Sequence, residues 1–250
     1  MVSICRTCTP CWQWREDPSR STTVPISNSA HAQGDSPRLR FLAWAAGWPV
    51  LNGLPELQDP GLKIGAARDA EADRISVLEE GLDLLHRVWP EAWATAHRFL
   101  HATLLQPCHE THTTSISFVR LQGAFIASIH NPMQVGDAVC HEGSHTRLAL
   151  FFKLDPLIKD DGRAVHPSPW RSDPRPLKGV LNGVHAFLNL CIFYKRVLER
   201  IPELARPAEE ILEGERMRVR EAWEYLVRRA VPTSLGHRFL AELAAEVERL

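Results

Sequence analysis

The sequence predicts a mainly α-helical domain that carries a small β element. Two observations lead there. Apolar residues recur at three- and four-residue intervals over long stretches, as in Ile75, Leu78, Leu82, Leu85 and Val88, which is the spacing that lines one face of a helix. Between such stretches, Thr114-Ser115-Ile116-Ser117-Phe118 alternates polar and apolar side chains, and residues 123–129 are β-prone. That pair of segments reads as a short hairpin or sheet.

Composition narrows the field. With 250 residues and 44% apolar content, the chain can bury a substantial core. The net charge is −1 with no long run of one sign, which removes the electrostatic case for nucleic-acid or anionic-membrane binding. No run of about 18 apolar residues is present, so no transmembrane helix is expected. Cys5, Cys8 and Cys11 are closely spaced, whereas Cys108, Cys140 and Cys191 are scattered. The three lack a fourth ligand at a recognisable spacing. Free thiols in a cytoplasmic protein are the expectation.

Taken in order, residues 1–38 hold four prolines and many Ser and Thr without a hydrophobic period, and read as a disordered or loosely packed tail. Residues 39–250 read as a single domain, starting with an irregular apolar segment over 39–62. The first helix is expected from Glu71 to Val88. Pro90 then suits the first turn of a second, expected to run to about Leu105 with Trp93, Ala96, Leu100 and Leu104 inward. The two β segments follow. After Asn131-Pro132 comes a helix over Gln134–Leu154, then a loop rich in Pro, Asp and Arg, then helices at Leu177–Ile201, 207–230 and Ser234–Arg249. Ile211, Met217, Val219, Trp223 and Leu226 are the expected anchors of the second of these, and Ser234 is the expected cap of the last.

The helix after the β segments holds His141-Glu142-Gly143-Ser144-His145, an H-E-x-x-H. Histidines four apart lie one turn apart on one helix face and can converge on one divalent metal ion. Glu142 is the candidate catalytic residue. It is placed either to act on a metal-bound water as general base or to orient a ligand. A working site needs a further protein ligand and an open position. The familiar protease patterns fail, because the position six after His145 is Phe151 and the first Glu after Glu142 is Glu199. His166, Asp173 and His185 remain as candidates, His185 lying one turn from Leu181 and Leu188. Asp173 would give two histidines and a carboxylate, a set that suits non-haem Fe(II). Arg171 and Arg175, held near prolines, carry planar forks suited to a carboxylate. The strand before the metal helix supplies an edge for an extended peptide.

The string Ser168-Pro169-Trp170-Arg171-Ser172-Asp173-Pro174-Arg175-Pro176-Leu177-Lys178-Gly179-Val180-Leu181, together with H-E-x-x-H, resembles the HExxH-motif peptide-modification proteins found with ribosomally made natural products. Weaker similarity covers residues 123–128 and 234–240, so the resemblance spans about residues 70–250. It implies an iron- and 2-oxoglutarate-dependent peptide β-hydroxylase. His141, His145 and His185 would hold Fe(II), and Arg175 or Arg171 would take the distal carboxylate of 2-oxoglutarate. The substrate would be a ribosomally made precursor peptide. This chain departs from the pattern at Asn182 and Phe187, one of which is expected to be histidine. Two alternatives stay open: a zinc peptidase with Glu142 as base, and a degenerate member that binds peptide without turnover.

Overall fold

The computed structural model describes residues 3–4, 42–43, 71–100, 102–105, 114–117 and 122–250. The cysteine triad, Cys108 and almost all of the tail and of the 39–62 segment lie outside the described residues. The fold is mainly α with a small β element, as the periodicity indicates.

Helix α1 (Glu71–Val88) and helix α2 (Pro90–Phe99) meet at Trp89, with Pro90 in the first turn of α2. Leu78, Leu82, Leu85 and Val88 are buried along α1, and Trp93, Ala96 and Leu100 beside α2. The second helix stops earlier than its spacing suggests. Leu100 is already extended (φ −107°, ψ 126°), and Ala102–Leu105 forms strand β3. An i, i+4 pair such as Leu100 and Leu104 fits a helix, but the sheet offers β3 a partner on each side, and β-branched Thr103 is buried there. Tertiary pairing overrides local spacing.

That sheet contains β1 (Ser3–Ile4), β2 (Leu42–Ala43), β3, β4 (Thr114–Ser117) and β5 (Ala124–Ser128), in the order β1-β4-β5-β3-β2. β4 and β5 are antiparallel, with Ile116 opposite Ile126, and β3 runs parallel to β5. Gly123, at φ 85°, sits in the tight turn that leads into β5, a backbone region open to glycine at little cost. The strand before the metal helix, expected to offer a peptide an edge, is β5, and it is paired on both sides, with β4 and with β3. Beyond it, β4 pairs in turn with Ser3 and Ile4 of β1.

Helix α3 (Pro132–Leu154) follows β5 at once. Asn131 caps it by accepting the Gln134 N–H at 3.0 Å, and the Gln134 side chain accepts from the His130 N–H at 2.6 Å, a reciprocal arrangement close to a capping box. Past Asp155 the chain forms a second, two-stranded sheet, β6 (His166–Ser168) with β7 (Arg171–Arg175), where the sequence suggests only a loop. Pro167, Pro169, Pro174 and Pro176 push each preceding residue toward extended backbone. In a two-stranded ribbon their missing N–H groups cost little.

Helix α4 (Leu177–Arg200) is the central element. It is long and apolar enough to cross a membrane, but 61% of its most apolar stretch is buried inside the protein. Core burial accounts for its character. It packs on α3 and on helix α5 (Ala205–Val227). In α5 the inward residues are Ala208, Leu212, Val219, Ala222 and Leu226. The expected anchors Ile211 and Met217 are instead 37% and 63% exposed. Helix α6 (Ser234–Glu248) is capped by Thr233 rather than Ser234, the Thr233 hydroxyl accepting the Gly236 N–H at 2.9 Å.

Two glycines set how closely α3 approaches its neighbours. A Cβ on Gly81 would fall 2.2 Å from Val135 Cβ, and one on Gly136 would fall 2.3 Å from the Phe193 ring. Neither gap has room for a methyl group, so α1 and α4 both close down on the early turns of α3.

Candidate metal centre

Four side-chain contacts fix α3 against α4. Asp137 meets Tyr194, His141 meets Phe187, His145 meets Asn182 and Arg147 meets His185. Numbers rise along α3 as they fall broadly along α4, so the two helices run antiparallel. His141 and His145 are 7% and 8% exposed and occupy the strip of α3 that faces α4.

Their Nε2 atoms are 2.9 Å apart and the rings meet edge to face. Two imidazole nitrogens bound to one ion at about 2.0–2.1 Å stand roughly 3 Å apart for bond angles near 90°. The pair therefore has the spacing of a shared divalent site. Burial holds both rings neutral: His145 is lowered to about 4, and His141 lies well below its ordinary value because of burial and the neighbouring His145. Neutral imidazole is the form that ligates a metal.

Glu142 points the other way, under the sheet, and is 1% exposed. The Ser115 hydroxyl donates to its Oε1 at 2.6 Å. Burial raises its carboxyl to about 7, with Ser115 and Ser117 pulling it back. Residues two apart share a strand face, so the polar side of the Ser-Ile-Ser alternation serves this carboxylate and not solvent. Ser115 and Ser117 are the functional neighbours that sequence reasoning missed. Their alternation is visible, but which face meets a helix is not.

The structure does not bring His185 to the pair. Its Nε2 receives the Arg147 guanidinium at 2.9 Å, and its ring packs 5.8 Å from that of Phe239. Burial and Arg147 drive its pKa far down. The α4 positions that do face the pair are Asn182 and Phe187, the two where the chain departs from the family pattern. Asn182 Oδ1 lies 3.1 Å from His145 Nδ1, and the Phe187 ring stands 4.8 Å from that of His141. His166 pairs with the Tyr225 hydroxyl at 3.1 Å. Asp173 is spanned by Arg171 and Arg175 at 2.9 and 3.0 Å. Among the described residues, no group of three His, Cys, Asp or Glu gathers to hold a metal.

The β6–β7 hairpin reaches the pair through aromatic stacking. Trp170 lies flat on Phe187 at 4.3 Å and 3°, and Phe187 abuts His141. Gly183 leaves the space, since a Cβ there would sit 3.0 Å from the Trp170 ring. The Trp170 N–H is anchored on Glu215 at 2.8 Å. Next in the chain, the Arg171 side chain is only 9% exposed. Its Nε serves Asp173, while Nη1 and Nη2 are buried with no partner among the described residues. Burial works against the Asp173 charge, but the bonds from Arg171 and Arg175 hold its pKa below the ordinary value.

No protein-family profile matches the chain, and no curated protein matches it.

Proposed function

We propose that the chain is an Fe(II)- and 2-oxoglutarate-dependent hydroxylase acting on a side-chain β-carbon of a ribosomally made precursor peptide. The observation that carries this reading is the Arg171 guanidinium. A buried cation with two unmet donors costs several kcal/mol unless an anion completes it. Two parallel N–H groups match a carboxylate in fork geometry. With one carboxylate serving two arginines, the Asp173 cluster keeps a surplus positive charge. The distal carboxylate of 2-oxoglutarate fits that surplus.

The residues present fit a divalent ion in part. His141 and His145 would hold it as neutral donors at the right separation. His185, engaged by Arg147, would not join them. When bound, the metal supplies oxygen activation for C–H hydroxylation. The chain's own residues do the rest. Arg171 orients the cosubstrate through its carboxylate, and the Trp170–Phe187 stack walls the histidines from water. Glu142 ties the metal helix to β4. A zinc peptidase would need Glu142 at a bound water, and its burial under β4 favours the hydroxylase.

Absence of a third donor at positions 182, 185 and 187 favours one second reading, a peptide-binding member without turnover. The test is to incubate the protein with Fe(II), 2-oxoglutarate, O₂ and a precursor peptide encoded beside its gene. Gain of one oxygen atom in mass, lost in His141→Ala, supports hydroxylation. Peptide binding without mass gain supports the second reading.

A further inference from the structure

We infer that Asn182 is a positioning residue that fixes the tautomer of His145 and aims its Nε2 lone pair at the metal position. The inference deepens the metal-site reading above, but its first test needs no metal.

Both ring nitrogens of His145 have polar neighbours that constrain the tautomer. Nδ1 lies 3.1 Å from Asn182 Oδ1, and Nε2 lies 2.9 Å from His141 Nε2. A neutral imidazole has one N–H and one lone pair. The amide oxygen can only accept, so the proton belongs on Nδ1. The Nε2 of His145 is then a lone pair, and the 2.9 Å contact must be filled by an N–H from His141. The two histidines are therefore unlike: His145 is already in its ligating form, and only His141 must move its proton to Nδ1 when a cation enters. Orientation of a ligating histidine through its other nitrogen is the usual way a protein fixes both ring angle and tautomer.

The placement in the fold supports this role. Asn182 lies early in α4, on the turn that faces α3 at His145, while His185, three residues later, turns to Arg147. The amide in the reverse orientation would donate to Nδ1 and put the proton on Nε2, which would block that ligand position.

The experiment is ¹⁵N NMR of histidine-labelled, metal-free full-length chain, followed by titration with Co(II). The expected spectrum has His145 protonated on Nδ1 and His141 on Nε2. Asn182→Ala is expected to release His145 toward the Nε2–H form and to weaken Co(II) binding by about 10- to 100-fold. Asn182→Asp, which keeps the acceptor, is expected to restore both. His145 protonated on Nε2 in the unaltered chain would overturn the inference. So would an Asn182→Ala protein, or an Asn182→Ser protein if the former does not fold, whose His145 tautomer is unchanged. Lack of Co(II) binding by the unaltered chain, with the Nδ1–H tautomer present, would count against the metal reading and leave the positioning role standing.

Discussion

Arg147 Nη2 lies 2.9 Å from His185 Nε2, so the lone pair that sequence reasoning reserves for a metal is taken by a guanidinium. His185→Gln is expected to leave metal stoichiometry unchanged in a calorimetric titration. His185→Ala removes the acceptor of a largely buried donor and is expected to cost about 1–3 kcal/mol in urea denaturation. Loss of metal binding in a folded His185→Gln protein would return His185 to the ligand set.

Arg171 offers a separation of stability from binding. Its unmet Nη1 and Nη2 make it a destabilising group in the absence of an anion. Arg171→Met is expected to leave the thermal midpoint unchanged or raise it, while weakening 2-oxoglutarate binding at least tenfold. Arg171→Lys keeps charge but loses the fork and should not restore affinity. Unchanged 2-oxoglutarate affinity in Arg171→Met would move the anion site elsewhere.

The buried acids and histidines of α3 oppose one another as pH changes. The Glu142 carboxyl is raised from 4.5 to about 7. The folded state therefore binds its proton more tightly than the unfolded chain, and stability falls as pH rises from 4.5 through about 7. His145 is lowered from 6.5 to about 4, so its contribution is complete above 6.5 and is lost as pH falls toward 4. Each shift corresponds to about 3 kcal/mol. In metal-free protein, the stability of Glu142→Gln relative to the unaltered chain is expected to grow by about that amount between pH 4.5 and 8, read from urea midpoints. A difference that does not vary with pH would show that Glu142 ionises normally.

Gly183 is the gap that lets Trp170 lie on Phe187. Gly183→Ala is expected to displace the indole by a few tenths of an ångström and weaken its bond to Glu215, seen as a shift in tryptophan emission. Gly136→Ala, facing the rigid Phe193 ring at 2.3 Å, is expected to destabilise the fold by about 1–3 kcal/mol, through overpacking. Emission unchanged in Gly183→Ala would mean that the indole has room to spare.

Helices were the legible part of the sequence because their burial follows one chain-local period. Leu78, Leu82, Leu85 and Val88 in α1, and Leu181, Val184, Leu188 and Val197 in α4, are all buried at the spacing the sequence shows. The errors lie where a partner decides. Leu104 belongs to a strand because β5 lies beside it, and the Pro-rich stretch pairs with itself as β6 and β7. At the site, the convergence of His141 and His145 follows from helix geometry alone, and their Nε2 atoms lie 2.9 Å apart. The direction of His185 does not follow, since 182 and 185 differ by three residues and α4 is buried on several sides. Only the docked α3 shows that Asn182 and Phe187, not His185, face the pair.

The most direct test is an anaerobic calorimetric titration of the full-length chain with Fe(II), first alone and then with 2-oxoglutarate. One Fe(II) per chain, lost in the His141→Ala, His145→Ala double variant, with 2-oxoglutarate binding that requires both Fe(II) and Arg171, is the expected result. Fe(II) binding no tighter than in the double variant would contradict the metal centre and the hydroxylase with it.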